Sequence, residues 1–127
     1  MGHQPRKMAS QRRSNAGFDL VAEAARVIPD VEEVASPRGR GLKIRGKLLA
    51  CQAIHKSAEP NSLMVRIGSD EREVLLATHP DTYYLTDHYR GYPAILVRLS
   101  KIRRKALGEL LEIAAEFVGA KKRRAAS

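Results

Sequence analysis

From His79 to Leu99 the chain reads HPDTYYLTDHYRGYPAILVRL, and this stretch constrains the fold more than any other. Its last part, Ala94 to Leu99, is apolar and rich in β-branched residues, with Ile95, Val97 and Leu99 alternating against Leu96 and Arg98. A period of two marks a sheet strand with one face in the core. Thr82 to Thr86 reads as another strand, and Asp87 to Pro93 as the loop that joins them. The loop ends in Gly91-Tyr92-Pro93, whose proline fixes φ as the chain re-enters the sheet. All four tyrosines lie in this segment and the chain has no tryptophan, so the core must be built from Leu, Ile, Val and Ala.

The flanking sequence supplies further strands and two long helices. Phe18 to Ile28 is predicted to be an amphipathic helix, because Phe18, Val21, Ala22, Ala25 and Ile28 fall on one stripe at helical spacing. Pro29 ends it, since the residue before a proline is driven out of the α region. Val31 to Ala35 reads as a strand, and Ser36-Pro-Arg-Gly-Arg-Gly41 as a mobile, turn-rich link. Leu42 to Arg45 and Leu48 to Ala53 form a hairpin about Gly46. With a two-residue loop, the favoured case, Leu42, Ile44, Leu49 and Cys51 share the core face. Lys43, Arg45, Leu48 and Ala50 then share the other, and a three-residue loop shifts that parity. After the polar loop His55 to Asn61, Leu63, Val65 and Ile67 alternate against Met64 and Arg66. Ser69 to Ala77 is predicted helical, capped by Ser69 or Asp70 and buried through Val74, Leu75 and Leu76. Ser100 to Gly119 gives the strongest helical pattern, with Leu107, Leu110, Leu111, Ala114, Phe117 and Val118 in one stripe.

These elements follow one another without long crossovers. The expected fold is therefore α+β: an antiparallel meander of five to six strands, with the N- and C-terminal helices packed on one face and the other face open. The expected organisation is a single domain over residues 17–120, between basic tails at 1–16 and 121–127 that read as disordered. Those tails carry Arg6, Lys7, Arg12, Arg13, Lys121, Lys122, Arg123 and Arg124. The whole chain has 23 basic and 14 acidic residues, a formal charge of +9, so setting aside those eight leaves 15 against 14. The excess of charge thus sits on the tails, where it attracts any polyanion without specificity. No apolar run approaches the roughly 18 residues of a membrane helix. The first residues lack the apolar segment of a secretory signal, and Cys51, the only cysteine, allows no internal disulfide. A cytoplasmic protein without a membrane partner is expected.

Three features are candidates for chemistry. Lys43, Arg45, Arg66 and Arg98 fall opposite the core, where they form either an ordinary solvated sheet face or a surface for phosphates. Lys101, Arg103, Arg104 and Lys105 crowd the start of the last helix, against its dipole. Either the helix starts near Lys105 with the cations in a loop, or an anion held there relieves the conflict. Tyr83, Tyr84, Tyr89 and Tyr92, interleaved with His88 and Arg90, either wedge a loop against the core or line a ligand cleft and stack on bases. His79, Asp81, Asp87 and His88 are metal-ligand types, but their spacing matches no closed zinc pattern. No phosphate-loop or dinucleotide glycine motif and no nucleophile constellation is present, so no catalytic residue and no cofactor is assigned.

Pro29-Asp-Val-Glu-Glu33, Lys43-Ile-Arg-Gly-Lys47, His79-Pro-Asp-Thr-Tyr-Tyr84, Tyr89-Arg-Gly-Tyr-Pro93 and Leu96-Val-Arg-Leu99 resemble the MmcQ/YjbR family. The resemblance covers roughly residues 18 to 119, and its most specific part is His79 to Leu99. It implies a small α+β fold akin to frataxin-like and type III secretion-chaperone-like folds. It also implies DNA binding of the double-wing type, with no established enzyme activity. Members often carry Trp where this chain has Ala94, and again where Glu116 or Phe117 stands.

Composition and resemblance together lead to one expectation, a protein that grips the DNA backbone largely without reading sequence. Arg38, Arg40, Lys43, Arg45, Arg66, Arg98, Lys101, Arg103 and Arg104 would make the contacts, with Arg38 and Arg40 on a mobile wing. One alternative is a protein-interaction or chaperone-like module, monomer or weak dimer, with Leu48, Met64 and Leu96 as apolar anchors on the open face. The other is a small-molecule binder with a cleft formed by Tyr83, His88, Tyr89, Arg90 and Tyr92.

Overall fold

The computed structural model describes residues 17–126, with side-chain surroundings described for 17–119. The expected disorder of residues 1–16 lies outside the described residues. The chain opens with helix α1 (17–25) and continues through β1 (Val31–Ser36), β2 (Gly39–Ile44), β3 (Lys47–Gln52) and β4 (Ser62–Arg66). Then come α2 (Ser69–Thr78), β5 (Tyr83–Tyr84), α3 (Asp87–Arg90), β6 (Ala94–Arg98) and α4 (Arg104–Ala126). The fold is α+β, with a six-stranded antiparallel sheet in the order β1-β2-β3-β4-β6-β5. It is a meander through β4. The chain then passes through α2 to the far edge, so that β6 fills the gap between β4 and β5.

Both terminal helices cover one face. Phe18, Val21 and Ala25 of α1 and Leu107, Leu110, Leu111, Ala114 and Val118 of α4 join one core with Leu42, Leu49, Leu63, Val65, Ile95 and Val97. The alternation read from β4 and β6 holds: Leu63 pairs with Val97 and Val65 with Ile95 on the core face, Met64 with Leu96 on the outer face. Ser36 pairs with Gly39, so the first link is a tight two-residue hairpin and not a mobile loop. Gly39 has φ 125°, and a Cβ there would stand 2.8 Å from Gln52 Oε1, so this turn requires glycine. Ile44 pairs with Lys47 across Arg45 and Gly46, which have φ 50° and 81°, the left-handed pair that a twisted two-residue hairpin demands.

The loop length was legible, but the parity beyond it was not. The β2–β3 register shifts between Leu42 and Lys43: Lys43 faces Leu48, whereas Leu42 faces Ala50. Leu49 is the extra residue of this bulge, and both Leu49 and Ala50 are wholly buried in the core. Cys51 is consequently turned to the outer face opposite Met64, and Ala50 turned inward, the reverse of the expectation. α2 also differs: its N-cap is Gly68, with no side-chain cap, and Val74 is exposed while Leu75 and Leu76 pack on the core. α4 starts at Arg104, later than Ser100, and runs on past Gly119.

Candidate functional site

The outer face of β3, β4 and β6 is only partly open. α3 lies against β6, and residues 53–61 fold over the same region. His55 N–H donates to Tyr89 Oη at 3.3 Å, Ser57 Oγ bonds Thr86 Oγ1 at 2.8 Å, and Glu59 N–H donates to Tyr84 Oη at 2.7 Å. The His55 and His88 rings stack with centroids 3.5 Å apart, and Tyr89 meets both edge-on. Under this cover Leu96 is wholly buried although it belongs to the outer face. Desolvation, with His88 and Lys56 nearby, holds His55 below the usual imidazole range, and burial first of all pushes the Tyr89 hydroxyl up.

What stays open is a cleft of about 310 Å³. Sheet residues Leu48, Met64 and Ala94 form its apolar base, and His88, Tyr89, Tyr92 and Pro93 its rim. Arg66 reaches it from β4, paired across the ladder with Ala94. Among the described residues Arg66 forms no ion pair, so one guanidinium faces a lining that is otherwise apolar and aromatic. Cys51 sits half-buried on the same face, and burial raises its thiol pKa.

The nine expected phosphate contacts do not form one surface. Arg40 is clamped by Asp19 at 2.8 Å and by Glu33 at 2.8 Å, over the Phe18 ring on the α1 side. Arg45 lies in the β2–β3 turn and pairs with Asp30 at 3.0 Å. Arg98 is on the outer face but bonds Glu59 through both terminal oxygens, the carbonyls of Pro80 and Asp81, and the Tyr84 ring. Arg104 is tied to Glu23 of α1. Arg38, Lys43, Arg66, Lys101 and Arg103 form no ion pair among the described residues. Of these, Lys43 and Arg66 are outer-face residues, Arg38 occupies the β1–β2 turn, and Lys101 and Arg103 precede α4.

The tyrosine cleft divides in the same way. His88, Tyr89 and Tyr92 do line one cleft, and Arg90 lies beside Asp87 at 3.8 Å. Tyr83 pairs with Val97 and is buried in the core on the opposite face. The reason is the period of two along a strand: Tyr83 and Tyr84 are neighbours on β5, so their rings point to opposite sides. The metal-type residues separate likewise, His79 towards Tyr83 and His88 in the outer cleft. Among the described residues no three such side chains converge. Sequence reasoning missed His55, whose neighbourhood looked like a polar loop, and the helical turn α3 that brings His88 to it.

No model of a known protein family matches the chain. A crystal structure of Deinococcus radiodurans protein DR2400, a DUF419 domain, shares the fold with a TM-score of 0.63 and 20% identity, over 80% of this chain and 77% of that one. Among the described residues, no helix is long and apolar enough to cross a membrane. Three mycobacterial proteins named as uncharacterised are 34% identical over 104 residues, covering 70% of this chain and 80% of each relative. They are Rv2570 and MT2646 of Mycobacterium tuberculosis and Mb2600 of Mycobacterium bovis. At that identity and coverage, the chain belongs to the same family as the mycobacterial protein Rv2570 and its counterparts.

Proposed function

We propose that this protein is a binding module whose outer-face cleft takes a flat apolar or aromatic molecule carrying one anionic group. The observation that carries this reading is Arg66, without a carboxylate partner among the described residues, in a cleft of about 310 Å³ lined by aliphatic, His and Tyr side chains. That size and that balance of apolar wall to a single charge are usual for small-ligand sites. An aromatic body would lie among Met64, His88 and Tyr92, and a carboxylate or phosphate would meet the guanidinium. The fold of a DUF419 domain, which lies in the YjbR/MmcQ-like superfamily, supports placing the chain near the MmcQ/YjbR family.

Backbone binding to DNA is the second reading, favoured by Lys43 and Arg66 standing on one face without carboxylate partners among the described residues. Calorimetric titration of the full chain with naphthoate, adenosine monophosphate and a short DNA duplex separates the two. The cleft reading expects binding of the small aromatic anions and about a tenfold loss in Arg66→Gln. Equal affinity in wild type and Arg66→Gln would refute it. Duplex binding that tightens with falling salt and weakens in both Lys43→Gln and Arg66→Gln would favour DNA instead.

A further inference from the structure

On the other side of the molecule, α2, the 79–83 turn and the start of α4 enclose a second cleft of about 270 Å³. Three charged side chains line it, Lys101, Arg103 and Glu109, and among the described residues none of them forms an ion pair. Arg103 is the residue whose carbonyl accepts the first helical bond of α4, from Leu107 N–H at 2.9 Å. The cations therefore stand at the N-terminal mouth of a long helix that has no acidic residue in its first turn. Its leading amides have no partner within the helix, and its dipole is positive there.

A helix end with cations is an unfavourable arrangement, not yet a site. The second observation is Tyr83. Its side chain is 5% exposed and lines the cleft, yet its hydroxyl has no hydrogen-bond partner among the described residues. With its ring buried and its unpartnered hydroxyl opening into the cleft, Tyr83 presents a fixed donor to whatever enters. Burial, and after it the Glu109 carboxylate, raises the Tyr83 pKa, which keeps the phenol protonated and able to donate.

We infer that this cleft is a binding site for a small phosphate monoester that also carries an ammonium or hydroxyl donor. The two cations and the amides of α4 receive the phosphate, whose charge near −2 at neutral pH suits a pair of cations better than a single carboxylate would. Tyr83 and Glu109 meet the other end, Glu109 as acceptor for the ligand's donor and Tyr83 as donor to its ester or hydroxyl oxygen. The volume lies just under the range for drug-sized ligands, which limits the occupant to a small one. This site shares no residue with the outer-face cleft, so either can fail without the other.

Amide-resolved NMR titration of the full chain tests this, with phosphoethanolamine as probe and inorganic phosphate as comparator. The expected result is saturating shifts in residues 79–83 and 101–110, with phosphoethanolamine binding about tenfold tighter than phosphate. Arg103→Gln weakens both ligands. Tyr83→Phe and Glu109→Gln weaken only phosphoethanolamine, and Tyr83→Phe leaves the fold intact because it removes a hydroxyl without a protein partner among the described residues. Shifts confined to residues 1–16 and 120–127, no saturation, or equal affinity in Arg103→Gln would each overturn the site. Tighter phosphoethanolamine binding in Glu109→Gln would overturn the proposed ligand class.

Discussion

Removing one oxygen from Tyr84 tests how the outer face is held. Tyr84 Oη accepts from Glu59 N–H at 2.7 Å and bonds Ser62 Oγ at 2.6 Å, while its ring supports Arg98 at 4.4 Å. Tyr84→Phe keeps the ring and deletes both hydrogen bonds. Glu59 N–H is exposed and gains water, so its loss costs about 0.5 kcal/mol. Ser62 is 4% exposed, so losing its bond and leaving its hydroxyl unpaired costs about 1.5 kcal/mol more. The variant should be about 2 kcal/mol less stable, a fall in Tm of about 8 °C for a domain of this size. Urea unfolding followed by far-UV circular dichroism measures this, and a cycle with Ser62→Ala should give a coupling of about 1 kcal/mol. If Tyr84→Phe lies within about 0.5 kcal/mol of wild type, the scatter of ordinary surface changes, Tyr84 does not fasten residues 53–61 to the sheet.

Other outcomes follow from the same structure. Leu49→Ala should cost about 2–5 kcal/mol in urea unfolding, because this side chain is wholly buried in the core; a loss typical of an exposed position would contradict that burial. The Glu59 carboxylate is held below its ordinary value of 4.5, chiefly by its hydrogen bond from Arg98. A depressed pKa contributes stability above that value which is lost as pH falls through the folded pKa. The stability gap between wild type and Glu59→Gln should accordingly be present at neutral pH and close on acidification below 4.5; a gap independent of pH would exclude the pairing. Cys51, half-buried with a raised pKa, should react with a disulfide reagent at neutral pH far more slowly than a free thiol and speed up on unfolding, whereas a rate near that of free thiol would place it in solvent.

What the sequence revealed was whatever depends on neighbours along the chain. The alternation of Leu63, Val65 and Ile67 and of Ile95, Val97 and Leu99 specified two strands and their faces, and Gly46 marked the turn. The apolar stripes of α1 and α4 specified which helices cover the core. The bulge at Leu49 escaped because Leu48, Leu49 and Ala50 are all apolar, so no polar residue reports which one is extra. The helical turn Asp87–Arg90 escaped because one turn is too short for a period to register. The charge map was hardest. Arg98 meets Glu59 from 39 residues away and Arg45 meets Asp30 from 15, so exposed cations on paper become neutralised pairs only when topology joins them. By the same route Arg66 was singled out as one of four alike, and only its surroundings separate it from Arg45 and Arg98.

The central claim is that the outer-face cleft beside Arg66 holds the ligand, and amide-resolved NMR with naphthoate tests it most directly. Saturating shifts clustered at Leu48, Met64, Arg66, His88 and Tyr92, with the midpoint moved about tenfold higher in Arg66→Gln, are the expected result. Shifts spread over all cationic positions, or the same cluster persisting at equal affinity in Arg66→Gln, would contradict it.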